Sequence, residues 1–288
     1  MTKIIDLHTH SIASDGSMSP AELVRHAKDM GLAAVALTDH DTVEGIREAL
    51  YEGNRIGIEV IPGIEISTNY KPEMHILGYF LDKENYSSVQ KELEVIRRGR
   101  EDRNFKIISR LNELGIAITE KEVRAVSSGD TTGRPHFARL LMEKGYVKSM
   151  KEAFDKYLGK DGLAYFKRYE LEPIDGINLI KKAGGIPVLA HPALLKMNYN
   201  DMDKLLLELK KNGLAGIEAI YSENSKEETG NLLRLAIKHK LLVTGGSDYH
   251  GTYKNGIEIG FGRGNLKVPY ELLEKLKSAT FNTNLFFI

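Results

Sequence analysis

The chain has 288 residues, 42% of them apolar, which suits one large α/β domain or a domain carrying an insertion and excludes a disordered chain. Its 40 basic and 40 acidic side chains cancel, so no global field draws it to long nucleic acid or to an anionic membrane. It has no cysteine, which excludes disulfides, zinc–thiolate sites and a thiol nucleophile and leaves His, Asp and Glu to bind any metal.

The opening MTKIIDLHTH is too short and too polar for a secretory signal, and no apolar run reaches membrane-span length, so a cytoplasmic location is expected. KIIDLH (3–8) reads as a first strand. A helix over 19–30 follows, with Ser19 as its cap and Pro20 in its first position. Next come a strand at 33–39, a helix at 42–55 with Asp41 as its cap, and strands at 58–68 and 74–80, the latter hairpin-like. From Tyr86 to Phe166 the rhythm breaks, and helices alone are predicted over 86–114, 119–126, 134–144 and 149–158. Alternation then resumes with helices at 173–183, 201–212, 226–239 and 269–278 and strands at 186–191, 215–220 and 241–248. Glycines in KAGG and KNG stop two of these helices. This order predicts parallel strands with helical crossovers, closed into a barrel or opened into a sheet. Residues 1–85 and 167–288 form that domain, and 86–166 is an inserted helical subdomain.

Residues two apart on a strand share a face, so His8 and His10 project together, and so do Asp248 and His250 if the strand persists that far. An isolated H-x-H pair is weak evidence. What strengthens it is that the apolar runs keep ending in metal-capable side chains. Asp15 follows the first strand, and Asp39 and His40 end the second. Glu65 lies within the third, His75 begins the fourth, His191 ends PVLAH, and Asp248 and His250 end the last. Barrels of this class collect their chemistry at the carboxyl ends of the strands. Glu65 between Ile64 and Ile66 would be a costly lone buried carboxylate without a cation or an arginine beside it. Asp39 could instead orient an imidazole, and His26 and His239, mid-helix, are read as ordinary positions.

In order along the chain, DLHTHSIASDG, LTDHDT, PGIEIS, LAHP and GSDYHG resemble the motifs of the PHP (polymerase and histidinol phosphatase) family. That resemblance implies a distorted seven-stranded (β/α) barrel with two or three divalent metal ions at its carboxyl-end face. It would give a first ion His8, His10, Glu65 and Asp248, a second Glu65, His75 and His191, and a third Asp15, His40 and His250. Asp15 stands where some relatives use histidine, which favours a harder ion such as Mn²⁺, with Zn²⁺ and Fe²⁺ as alternatives. RRGREDRNFKIISRLNELGI (97–116) and TTGRPHFARLLMEKGYV (131–147) look like the subgroup of small phosphoesterases that act on nucleotides.

The insertion itself carries a second signal. Leu93, Ile96, Arg100, Arg103, Ile107, Leu111 and Leu114 share one helix face, so two arginines interrupt an apolar stripe. With Asn104 they are expected to face an anionic ligand, although long stems reaching out to water would explain them too. Gly133 or Thr132 precedes a helix start where Arg134 and His136 would form an anion site. The expected function is hydrolysis of a phosphomonoester of a small nucleotide, such as a nucleoside 3′,5′-bisphosphate, by metal-activated water. Arg134 would neutralise the phosphoryl oxygens and His136 would assist the leaving oxygen. Phosphate is the product, and neither a membrane nor long duplex nucleic acid is an expected partner. The rivals are a 5′→3′ exonuclease on short 5′-phosphorylated RNA, a histidinol-phosphate-type phosphatase, and a non-catalytic metal-stabilised module.

Overall fold

The computed structural model describes residues 3–127, 132–167 and 171–283. Strands β1 (Ile4–Asp6), β2 (Ala34–Leu37), β3 (Glu59–Thr68), β4 (Met74–Tyr79), β5 (Ile186–Leu189), β6 (Gly216–Tyr221) and β7 (Leu242–Gly246) lie side by side in chain order. All pair in parallel except β4, which runs antiparallel to both β3 and β5. The last strand returns to the first: Leu7 N donates to Gly245 O at 3.2 Å, and Asp248 N to His8 O at 2.9 Å. A two-residue strand absent from the sequence reading, β8 (Val268–Pro269), pairs antiparallel with the other half of β1. The result is the expected distorted barrel, nearly closed.

Strand alternation explains the layers. On β2, Ala34 and Ala36 join the cluster that includes Ile5, Leu7, Leu77, Tyr79 and Val188, whereas Val35 and Leu37 face the other way onto the helices. Helices α1 (Pro20–Asp29) and α2 (Ile46–Ile56) cover that outer face. Ser19 caps α1 in a reciprocal box with Glu22, as its sequence predicts. Asp41, however, does not cap α2, which starts five residues later behind Gly45. Asp41 has a left-handed backbone and accepts hydrogen bonds from Ser67 N and Oγ and from Arg100 instead.

Between β4 and β5 come α3 (Tyr86–Glu113), α4 (Glu120–Ser127), α5 (Arg134–Glu143) and α6 (Met150–Ala153), which widens into a π-helical turn over Phe154–Leu158; these helices share one further apolar cluster. It is formed by Ile107, Leu111, Val123, Phe137 and Leu141 among others, distinct from the barrel clusters. The first half of α3 belongs elsewhere: Tyr86, Val89, Leu93 and Ile96 pack with Ile64, Ile66 and Ile76 of the barrel. After these helices come α7 (Pro173–Lys182), α8 (Tyr199–Lys211), α9 (Lys226–His239) and α10 (Glu271–Thr283). Of the apolar tail, residues 284–288 lie outside the described residues. Among the described residues no helix is long and apolar enough to cross a membrane.

Candidate metal centre

The nine side chains that the resemblance would make ligands come together at one end of the barrel. His8 and His10 sit just beyond β1, and each points Nε2 at Glu65 Oε2 from 3.2 Å. Thr9 between them turns away and donates its hydroxyl to Ala36 O at 2.6 Å. Asp248 Oδ1 closes the group, 3.2 Å from His10 Nε2 and 3.5 Å from His8 Nε2. On the other side of Glu65, Oε1 lies 2.9 Å from both His75 Nδ1 and His191 Nε2. Glu65 therefore has imidazole nitrogens around both of its carboxylate oxygens. Asp15 lies 3.3 Å from His250 Nε2 and 3.8 Å from His40 Nε2.

The ligand atoms fall into three sets, each within 4.8 Å: His8, His10, Glu65 and Asp248; His40, Glu65 and His75; His10, Asp15, His40 and His250. His10 and His40 each belong to two sets, so the division is less clean than the resemblance implied. His191 joins the second through Glu65.

The backbone is shaped around this cluster. Asp41, His191 and Asp248 all have positive φ (54°, 27° and 56°), a strained conformation for side chains with a Cβ that gathers at functional sites. Asp39 accepts from Ser11 N, Ser11 Oγ and Ser14 Oγ at 2.6–2.7 Å, which folds the loop bearing Asp15. It therefore shapes that loop and orients no imidazole among the described residues. At Gly16 a Cβ would stand 2.2 Å from His10 O, and at Gly246 one would stand 2.3 Å from His8 Cβ, so both close approaches require glycine.

Residues around the cluster fix its tautomers. His8 Nδ1 faces Glu218 Oε1 at 3.0 Å, which holds a proton on Nδ1 and turns Nε2 toward Glu65. The other Glu218 oxygen accepts from His191 N at 2.8 Å. His250 Nδ1 likewise bonds Asp248 O, freeing Nε2 for Asp15. Asp6, whose carboxyl burial pushes up to about 6, accepts from the backbone of His8, Ser247 and Gly260. Sequence reasoning missed Glu218. Its signal was a glutamate inside the apolar AGIEAI, the same one that marked Glu65.

Charge balance tests whether cations fit. Burial opposes ionisation of Glu65, yet His40, His8 and His75 hold its carboxyl well below the usual range. His8, His10, Glu65 and Asp248 are all buried. Among the described residues, several ring nitrogens (His8 Nε2, both of His10, His40 Nδ1, His75 Nε2) and Glu65 Oε2 are sealed from solvent and make no well-aligned hydrogen bond. Imidazole nitrogens and carboxylate oxygens aimed at common points, once their protons are displaced, are what divalent cations of the Mn²⁺, Zn²⁺ and Fe²⁺ type bind. The residues fit such ions.

A cavity of about 520 Å³ opens over the cluster, lined by barrel residues and by Arg100 of α3 and Gly133, Pro135 and His136 at the start of α5. His136 is buried, and its Nδ1 accepts from Gly133 N at 2.9 Å, which leaves its proton on Nε2. Arg100 Nη2 donates to Asp41 Oδ2 at 2.5 Å. A second cavity of about 360 Å³ shares His40 and Arg100 with the first and is lined by Asn104, Phe105, Ile108, Val123 and Phe137 among others. Arg103 lines neither cavity; its guanidinium bonds Asn104 Oδ1 at 2.7 Å, and Asn104 Nδ2 donates to Thr132 O. Arg134 also lies outside both linings, 3.8 Å from Glu73 Oε2 and over the ring of Tyr165.

The PHP domain family matches residues 6–206 of the chain. A 5′-3′ exoribonuclease of Haemophilus influenzae is 38% identical over 251 residues, 87% of this chain and 91% of that protein. A 3′,5′-nucleoside bisphosphate phosphatase of Chromobacterium violaceum is 34% identical over 260 residues, 89% of this chain and 90% of that protein. A solved structure from Bifidobacterium adolescentis, proposed to be a metal-dependent phosphoesterase, superposes with a TM-score of 0.81 at 30% identity, covering 95% of both chains.

Proposed function

Because the chain belongs to the PHP domain family and is a metal-dependent hydrolase of phosphoric esters, we propose that its substrate is a small nucleotide, with a nucleoside 3′,5′-bisphosphate as the first candidate. The observation that carries this reading is a pair of cavities that share His40 and Arg100 in their walls, one over the metal-capable cluster and one beside it. His8, His10, Glu65 and Asp248 would hold one cation, Glu65, His75 and His191 a second, and Asp15, His40 and His250 a third. The carboxylate at Asp15 favours Mn²⁺ over Zn²⁺ or Fe²⁺. Such ions supply a water activated near neutral pH and positive charge for the phosphoryl oxygens.

The chain's own residues place the ester. His136 serves as a neutral donor: burial lowers its pKa, and its Nδ1 is occupied by Gly133 N–H, so Nε2–H faces the phosphate. It holds or steadies the leaving oxygen without giving up a proton. Arg100, in the wall of both cavities, offers its guanidinium to the substrate. Asn104, aimed by Arg103, reaches the nucleoside, and Arg134 meets the outward end of the substrate at the rim. We treat 86–166 as the insertion that roofs the site and 1–85 with 167–288 as the barrel, and we place the activity in the cytoplasm.

The exoribonuclease reading is supported by the 38% identity to a protein of that activity and uses the same cluster. One set of assays separates the two. Protein stripped with chelator should be inactive, and Mn²⁺ should restore phosphate release from a nucleoside 3′,5′-bisphosphate. Shortening of a 5′-phosphorylated oligoribonucleotide without that release would select the exonuclease. Activity that survives stripping, or the paired change His8→Ala and Asp248→Ala, would sink both.

A further inference from the structure

We propose that Lys254 is a catalytic residue whose ammonium meets the phosphoryl group under attack, beside the metal-capable cluster; this rests on the phosphoesterase reading above. Lys254 lies in the turn after β7, and its Nζ donates to Asp248 Oδ2 at 2.7 Å and to Tyr221 OH at 2.9 Å. Tyr221 OH itself donates to that same carboxylate oxygen at 2.9 Å, and its ring lies 5.3 Å below the ammonium. The cation is thus held from several sides. Asp248 is left with Oδ1 facing His8, His10 and His250, so Lys254 stands one carboxylate away from the cluster.

An ammonium placed only to brace Asp248 would be expected to turn its remaining surface into protein. Lys254 instead keeps 23% of its side chain exposed, and that surface lines the metal cavity. Glu223, 3.4 Å away, is also engaged by Arg263, so it does not consume the lysine alone. Two Lys or Arg side chains line this cavity among the described residues. Arg100 is tied to Asp41 on the roof, and Lys254 is the one on the barrel beside the ligands. Arg134, expected from sequence to neutralise the phosphoryl oxygens, stands outside this lining near Glu73.

In the hydrolysis, a water oxygen bonds phosphorus and releases a proton to solvent as the ester P–O bond breaks, and the leaving oxygen takes a proton from solvent. Lys254 keeps its protons throughout and contributes charge-assisted hydrogen bonds to a non-bridging oxygen. Such a bond contributes enough to change affinity by about 10- to 100-fold.

Lys254→Met, loaded with Mn²⁺, should bind inorganic phosphate about 10- to 100-fold more weakly than the parent, as read by calorimetry, and lose kcat/KM by a similar factor. Its Mn²⁺ content should match the parent, and Lys254→Arg should recover part of both losses. Unchanged phosphate affinity, or a loss of Mn²⁺ that accounts for the lost activity, overturns the assignment. If Lys254→Met does not fold, Lys254→Gln, which keeps a donor near Asp248 without the charge, carries the same expectations. A parent protein that hydrolyses no phosphate ester with Mn²⁺ would count against the reading beneath; an active parent with indifferent Lys254 variants counts against Lys254 alone.

Discussion

Glu65 and Glu218 are both fully buried glutamates on barrel strands, and their neighbours give them different tasks. Glu65 has imidazole nitrogens around both oxygens, whereas Glu218 accepts from His8 Nδ1 and His191 N, which turns those two residues toward the cluster. Glu218→Gln keeps the shape but loses the negative charge that fixes the His8 tautomer. It should weaken Mn²⁺ binding by about 10- to 100-fold, measured by titration of the stripped protein. Binding equal to the parent would make Glu218 a packing residue only. At this scale the sequence spoke through residue type: a carboxylate among isoleucines asks for a partner, and Glu65 was found that way. Glu218 carried the same signal and was passed over, because what distinguishes it is a histidine 210 residues away.

Helix α3 shows how one element serves two bodies. At 28 residues it is about 42 Å long, enough to begin in the barrel's apolar layer and end in the separate apolar cluster it shares with α4 and α5. Its stripe was legible from spacing: Leu93, Ile96, Arg100, Arg103, Ile107 and Leu111 are all buried. The reason arginines interrupt it was not, since Arg100 pairs with Asp41, 59 residues distant. The same remoteness explains why Asp41 looked like a helix cap. On the opposite side of α3, Phe105 is 71% exposed and borders the second cavity, as a stacking platform for a base would. Phe105→Ala should raise KM for a nucleoside bisphosphate by about fivefold or more while leaving KM for p-nitrophenyl phosphate unchanged. Steady-state kinetics on the two substrates checks this, and equal effects on both would remove the base from that cavity.

Across the whole molecule, the cluster ties together residues that follow or lie on six different strands, so cations bound there act as cross-links of the barrel. Burial alone would lower the pKa of His10 and His75, but Asp248 and Glu65 beside His10 raise it to about 9, and Glu65 beside His75 raises it to about 10. In the cation-free protein both rings are therefore protonated at neutral pH, and a divalent ion must displace those protons. Mn²⁺ should accordingly raise the melting temperature, and more so at pH 8 than at pH 6, because fewer protons compete as pH rises. An ion concentration 100 times its dissociation constant corresponds to about 2.7 kcal/mol. Differential scanning fluorimetry at both pH values tests this, and an identical shift at each would contradict it.

The amino-acid sequence alone carried the order of β1–β7 and their helices, the alternation that makes a barrel, and the run of metal-capable side chains at the ends of its apolar segments. These are local properties: period, turn residues, and residue type at the ends of apolar runs. Only the tertiary structure decided which oxygen faces which ring, that β4 runs against its neighbours, and that Lys254 and Glu218 join the site while Arg103 and Arg134 stand outside the cavities. Those outcomes depend on distances between segments far apart in the chain, set by how strands register and helices pack, and no local pattern encodes them.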